Sequence, residues 1–144
     1  MATYDQDDLN NATLCVWKEA RGDGPSAMTA VAHVIFNRVG APGFANTLHE
    51  VIYGKNQFSS MSISTDPEYN LAAPEPTDPD YPSYCTAMSI VNAIAAGTES
   101  DPTGGALYYA NLAECTSGWF FHHIVNDPAN HPLRATLGHQ VFYA

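Results

Sequence analysis

The segment Trp17-Lys18-Glu19-Ala20-Arg21-Gly22-Asp23-Gly24 gathers the side chains with most to offer chemistry. Glu19 falls near the C-terminal end of a partly apolar helical pattern. Scarce water and the negative end of the helix dipole both favour a protonated carboxyl there. A carboxyl that keeps a proton near neutrality is what a general acid for breaking a glycosidic bond requires. The same spacing suits an ordinary surface glutamate paired with Lys18 or Arg21, and the segment alone leaves both readings open.

Other residues suit the walls of a polar-ligand cleft. Gln57 and Ser59 can hydrogen-bond hydroxyl or acetamido groups, and Phe58 between them offers an apolar face. Tyr108, Tyr109 and Asn111 follow Gly104-Gly105, a pair that permits a tight turn and close ligand approach. Tyr109 and Asn111 are the preferred contacts; against that, alternation along a strand sends at least one of two adjacent tyrosines to the core. His139 and Tyr143 either close the cleft or finish a sheet. Arg21 and Arg38, two of only five bases, are expected to pair with internal carboxylates. Asp23 either orients a ligand or caps the helix starting at Gly24-Pro25.

Metal and redox chemistry draw little from the spacing. His122, His123, His131 and His139 cluster late in the chain but form no H-x-x-x-H or H-E-x-x-H pattern, so no metal site and no cofactor is expected. Cys15, Cys85 and Cys115 form no C-x-x-C pair and cannot all pair as disulfides. Cys15 and Cys85 sit in apolar helical patterns, where a free cysteine acts as a small buried hydrophobe.

The elements that must hold these residues read as a helical body with a small β portion. Leu9, Ala12, Val16 and Ala20 recur at helical spacing, which predicts a helix from about 7 to 20 that Gly22 ends. Pro25 just inside a second start predicts a helix to about 37, apolar nearly all round and therefore central and buried. Thr47-Leu48-His49-Glu50 is a capping-box pattern for a short third helix stopped by Gly54. A proline-rich loop spans about 60 to 82, a length usually reserved for functional or mobile segments. A fourth helix follows from about 83 to 96. Short aromatic or β-branched stretches at 106–110, 119–125 and 140–143 predict strands. The expectation is one α+β domain over residues 1–144.

Composition narrows the partners. A chain of 144 residues with 45% hydrophobic content can close one core. Fifteen acids against five bases give a net charge of −10. Such a surface repels phosphate backbones and anionic lipid heads, so neither nucleic acid nor membrane is an expected partner. No apolar run reaches the ~18 residues that cross a bilayer. The N-terminal residues show no basic and apolar leader pattern.

In order, Glu19-Ala20-Arg21-Gly22-Asp23, Ala30 to Val39, Asn46-Thr47-Leu48 with Val51-Ile52-Tyr53, Gln57-Phe58-Ser59, Asp101 to Asn111, Trp119-Phe120 and Gly138 to Tyr143 resemble the SleB/CwlJ family of cell-wall hydrolases. The resemblance runs from about Leu9 to Tyr143. It implies a mainly helical, lysozyme-like domain related to lytic transglycosylases, acting on the bond between N-acetylmuramic acid and N-acetylglucosamine in peptidoglycan. It carries the family's catalytic glutamate onto Glu19. Asp23 departs from the family's usual glutamate, which keeps the charge on a shorter arm. A single-domain wall hydrolase without a leader pattern suits a phage endolysin or virion-associated lysin, made in the host cytoplasm and working as a monomer on glycan strands, with a bacterial protein exported by another route as the alternative. The rival readings are an amidase that releases the stem peptide from muramic acid, and a non-catalytic wall-binding or virion module.

Overall fold

The computed structural model describes residues 4–54, 57–111, 118–137 and 139–144. Cys115 and Gly138 therefore lie outside the described residues. The order is α1 (Gln6–Ala20), a 3₁₀ turn (Arg21–Asp23), α2 (Pro25–Arg38), α3 (Leu48–Tyr53), α4 (Ser59–Ser62) and α5 (Tyr81–Ala95). Then come β1 (Tyr108–Ala110), α6 (Gly118–Phe120), a π-helical turn (Phe121–Val125), β2 (Leu133–Leu137) and β3 (Gln140–Tyr143).

Local chemistry sets the helix starts. The Asp5 carboxylate accepts from the Asp8 N–H at 2.8 Å, and the Asp8 carboxylate accepts from the Asp5 N–H at 3.2 Å, closing a reciprocal box at the start of α1. Gly24, at φ 88°, makes the turn into α2 in a conformation that side chains disfavour, and Pro25 takes the first helical position. Thr47 caps α3 by accepting from the Glu50 N–H at 3.2 Å.

Helices α1, α2 and α5 pack on one another to form the body. α2 is buried along most of its length, from Ala27 to Ile35, as its apolar circumference predicts. Trp17 of α1, 1% exposed, meets Tyr84 of α5 edge-on at 5.9 Å, and its indole N–H donates to the Ser83 hydroxyl at 2.8 Å. Truncating such a residue to alanine typically costs about 3–5 kcal/mol.

The sheet has the order β1-β3-β2, antiparallel throughout, with Tyr109 opposite Phe142 and Ala135 on the other side of the same residue. Two strand expectations need correction. Residues 118–125 are helical, not extended: Ile124 is buried, and Phe120 lays its ring against Tyr108 and Tyr143. β2 is a strand that no local pattern predicts, because Leu133 and Arg134 are exposed and its extension depends on pairing with β3. The 60–82 stretch begins inside α4 and continues as successive turns.

Candidate active site

Glu19, the penultimate residue of α1, is half-buried at a cleft of about 940 Å³. That is the upper end of the usual range for ligand sites and leaves room for more than one sugar ring. The wall is aromatic, with Phe44, Phe58, Tyr108, Tyr109, Trp119 and Phe120. Arg38, Gln57 and Gly43 complete it. Among the described residues lining it, Glu19 is the single acid.

Two hydroxyls grip the carboxylate. Tyr109 Oη donates to Oε1 at 2.7 Å, and Ser60 Oγ donates to Oε2 at 2.8 Å. Tyr109 lines the cleft; Ser60, 2% exposed, is not among the lining residues and holds the carboxylate from the protein side. Burial pushes the Tyr109 phenol well above its usual range, and the Glu19 carboxylate adds to the effect through its charge and the hydrogen bond. Tyr109 thus remains a protonated donor across the neutral range.

Lys18, one step back on α1, supports this grip from beneath. It is 6% exposed, and its Nζ donates to the carbonyls of Ser60 at 3.2 Å and Tyr69 at 3.1 Å. Burial lowers its pKa, while Cys15, Glu68 and Asp66 oppose the shift. Arg21 donates to Glu68 at 2.6 Å. The turns after α4 are therefore tied at two points to the end of α1 that carries Glu19. Cys15, one turn earlier on α1, is fully buried, and burial raises its thiol well above the usual range, so it stays an inert hydrophobe.

A second scaffold orders the chain before β1. Asp101 accepts from the Asn37 amide at 2.9 Å, the Thr103 hydroxyl at 2.6 Å, and the Thr103 and Gly105 N–H groups at 2.8 and 2.9 Å. Burial alone would raise its pKa, but these donors outweigh burial and hold it below the usual range. Gly105, at φ 87°, turns the chain so that Leu107 meets Arg38 and β1 presents its tyrosines.

The structure sorts the residues singled out in the sequence. Glu19, Gln57, Phe58 and Tyr109 meet at the cleft. Ser59 is exposed and donates to Asp66 at 2.5 Å; its neighbour Ser60 reaches Glu19 instead. Asn111 follows β1 half-buried and is not among the lining residues. Tyr143 is buried in β3, and His139 is exposed in the turn before it. Asp23 lies in the 3₁₀ turn and accepts from Gln140 at 3.4 Å, while Gly24 stands at the start of α2 with no side-chain cap.

Two expectations change. Both Tyr108 and Tyr109 line the cleft, because β1 is a short edge strand at its wall. Tyr109 reaches Glu19 while its ring stacks on the buried Phe142 at 5.8 Å. Arg21 has its carboxylate, but Arg38 has none within ion-pair distance among the described residues. Arg38, Gly43, Phe44, Trp119 and Phe120 line the cleft without a local pattern that marks them as wall residues, and Tyr108 lines it beside the preferred Tyr109. Trp119, 62% exposed with its ring stacked on His123 at 5.0 Å, carried a usable signal together with Phe120: the pair belongs to the ordered series that resembles the family.

Fold and cleft together define a class: an α+β domain whose helical body presents Glu19 to an aromatic trough walled partly by a small sheet. The chain belongs to the cell wall hydrolase family, whose sequence profile matches residues 22–143. Glu19 stands three positions ahead of that stretch. The chain is 32% identical over 118 residues to a spore cortex-lytic enzyme of Bacillus cereus, covering 82% of this chain and 40% of that protein. It is 33% identical over 118 residues to one from Oceanobacillus iheyensis, covering 82% and 37%. It thus spans about 40% or less of the length of these curated relatives. Among solved structures, the catalytic domain of the germination-specific lytic transglycosylase SleB from Bacillus anthracis matches with a TM-score of 0.71 at 30% identity, over 98% of this chain and 97% of that one. The catalytic domain of Bacillus cereus SleB matches with a TM-score of 0.73 at 30% identity, over 100% and 94%.

Proposed function

We propose that this chain cleaves the MurNAc-GlcNAc bond of peptidoglycan, as a lytic transglycosylase or muramidase, with Glu19 as general acid and then general base. The observation that carries the reading is the Glu19 carboxylate at the cleft, gripped by Tyr109 and Ser60 and the single acid among the described lining residues. Most glycosidases set two carboxylates about 5–9.5 Å apart, one acting on the leaving oxygen and one on water or the sugar. With one carboxylate among the described cleft residues, the proposal gives the second role to the substrate.

The steps balance simply. Glu19 gives its proton to the glycosidic oxygen as the bond to the muramyl C1 breaks. The muramyl 6-hydroxyl oxygen then bonds to C1 and its proton returns to Glu19, closing an anhydro ring. Water in place of that hydroxyl gives the muramidase outcome. As Glu19 becomes a carboxylate, the hydroxyls of Tyr109 and Ser60 bond to it more strongly than to the neutral acid, which favours the transition state. Gln57, Phe58, Tyr108 and Trp119 supply the polar and stacking surface for the sugars.

Digestion of purified peptidoglycan followed by mass spectrometry tests the reading. Anhydro-muropeptides mark a lytic transglycosylase and reducing muramic ends a muramidase. Freed stem peptides with intact glycan would overturn it in favour of an amidase. Glu19→Gln is expected to abolish product while the melting temperature holds. Delivery as a phage endolysin or virion-associated lysin forms part of the same proposal, and lysis of host cells on co-expression with a holin tests it.

A further inference from the structure

The acid-base step makes no use of Arg38, although its guanidinium sits in the same cleft as Glu19. The residue is 8% exposed. Its Nε donates to the Leu107 carbonyl at 2.8 Å and its Nη1 to Gln57 Oε1 at 3.2 Å. The rings of Phe44 and Phe58 lie 5.1 Å from its Cζ and that of Tyr108 5.9 Å, so aromatic faces surround the cation. A guanidinium carries five N–H donors, and two are committed. Among the described residues, no carboxylate stands within ion-pair distance of the rest. Nor are they sealed in: among the described residues the buried side-chain atoms without partners are His33 Nε2 and Gln140 Oε1, not any nitrogen of Arg38. The free edge therefore opens onto the cleft that Arg38 lines.

A cation withdrawn from water without an anion is costly, and aromatic faces offset only part of the cost. The chain has five bases in all, and it holds one of them here rather than on the surface. The planar, forked edge of arginine matches a carboxylate and accepts it through two parallel hydrogen bonds. In the glycan of the proposed function, N-acetylglucosamine carries no acid. Carboxylate chemistry enters at muramic acid alone, either on a stem-free lactyl group or on the peptide stem attached through it.

We propose that Arg38 is a carboxylate receptor that recognises the muramic-acid side of the substrate and so sets which sugar lies over Glu19. The proposal rests on the glycosidase reading. It gives that reading a register, since an alternating strand offers two kinds of glycosidic bond and Arg38 favours the placement that puts the muramyl bond at the acid.

The test uses two pairs of substrates: stem-bearing peptidoglycan and amidase-stripped glycan, each as the free acid and after conversion of its carboxylates to methyl amides. The wild-type enzyme is expected to cleave the acid form with kcat/KM about tenfold above the amide in at least one pair, carried by KM, the scale of one charge-assisted contact. Arg38→Gln is expected to collapse that ratio, and Arg38→Lys to restore part of it. Preference confined to the stripped pair assigns the lactyl carboxylate; preference confined to the stem-bearing pair assigns the stem. Equal wild-type rates on acid and amide in both pairs overturn the proposal, and this comparison stands even where Arg38→Gln fails to fold. A folded Arg38→Gln that loses activity equally on acid and amide overturns it as well, by making Arg38 a prop for Leu107 and Gln57. Failure of the wild type to cut any of the four glycans instead removes the glycosidase reading.

Discussion

Replacing Tyr109 with phenylalanine deletes one hydroxyl and leaves the ring where it is, stacked on Phe142 at 5.8 Å. What disappears is the 2.7 Å hydrogen bond to Glu19 Oε1. Hydrogen bonds to charged groups contribute about 1.5–3 kcal/mol. In the proposed step the acceptor changes from a neutral acid to an anion as Glu19 gives up its proton. Most of that contribution therefore appears only as the transition state forms. At about 1.4 kcal/mol per tenfold, kcat should fall by about 10- to 150-fold while KM changes little. The assay is release of soluble muropeptides from purified sacculi at several substrate concentrations, beside a thermal melt. A kcat within about twofold of wild type, with the melt unchanged, would refute the assignment of Tyr109 to the transition state.

Three further outcomes follow from the same geometry. Lys18→Met removes the ammonium that holds the Ser60 and Tyr69 carbonyls; the two carbonyls lose their donor while the desolvation cost of a buried charge is relieved, so stability should fall by about 1–3 kcal/mol while kcat drops severalfold, and an unchanged kcat would dissociate the lysine from Glu19. Asp101 titrates below its ordinary 3.8 in the folded state, so its stabilisation is present above that value and is lost as pH falls through the lower folded one. Asp101→Ala, which strips its four donors, should lower stability by about 1–3 kcal/mol near neutral pH and flatten the acid limb of a denaturant-midpoint series; an unchanged midpoint would contradict it. Trp119→Ala should leave the melting temperature nearly unchanged, since the residue is 62% exposed, but raise KM for glycan by about 2- to 10-fold through lost stacking. An unaltered KM would remove Trp119 from the substrate face.

The amino-acid sequence alone determined the helical body. The period of Ala12, Val16 and Ala20, the Gly24-Pro25 start and the Thr47 cap are set by contacts within a few residues, and α1, α2 and α3 formed where those signals lie. It also singled out Glu19, Gln57, Phe58 and Tyr109, each of which reached the cleft. Only the tertiary structure decided the rest. Residues 118–125 carry strand-forming aromatics but turn helical, because Phe120 and Ile124 find burial against the sheet that way. β2 is a strand by virtue of its partner, since most of its own side chains are exposed or half-exposed. The choice of Ser60 over Ser59 depended on one turn of α4, whose phase no local pattern sets. Glu19 meets Ser60 and Tyr109 across 41 and 90 positions of chain, and Arg38 lines the cleft with no carboxylate of the described residues within ion-pair distance. Local periodicity describes which face of a helix is buried; which groups confront one another across a cleft is set by packing between elements, and no spacing within one segment encodes it.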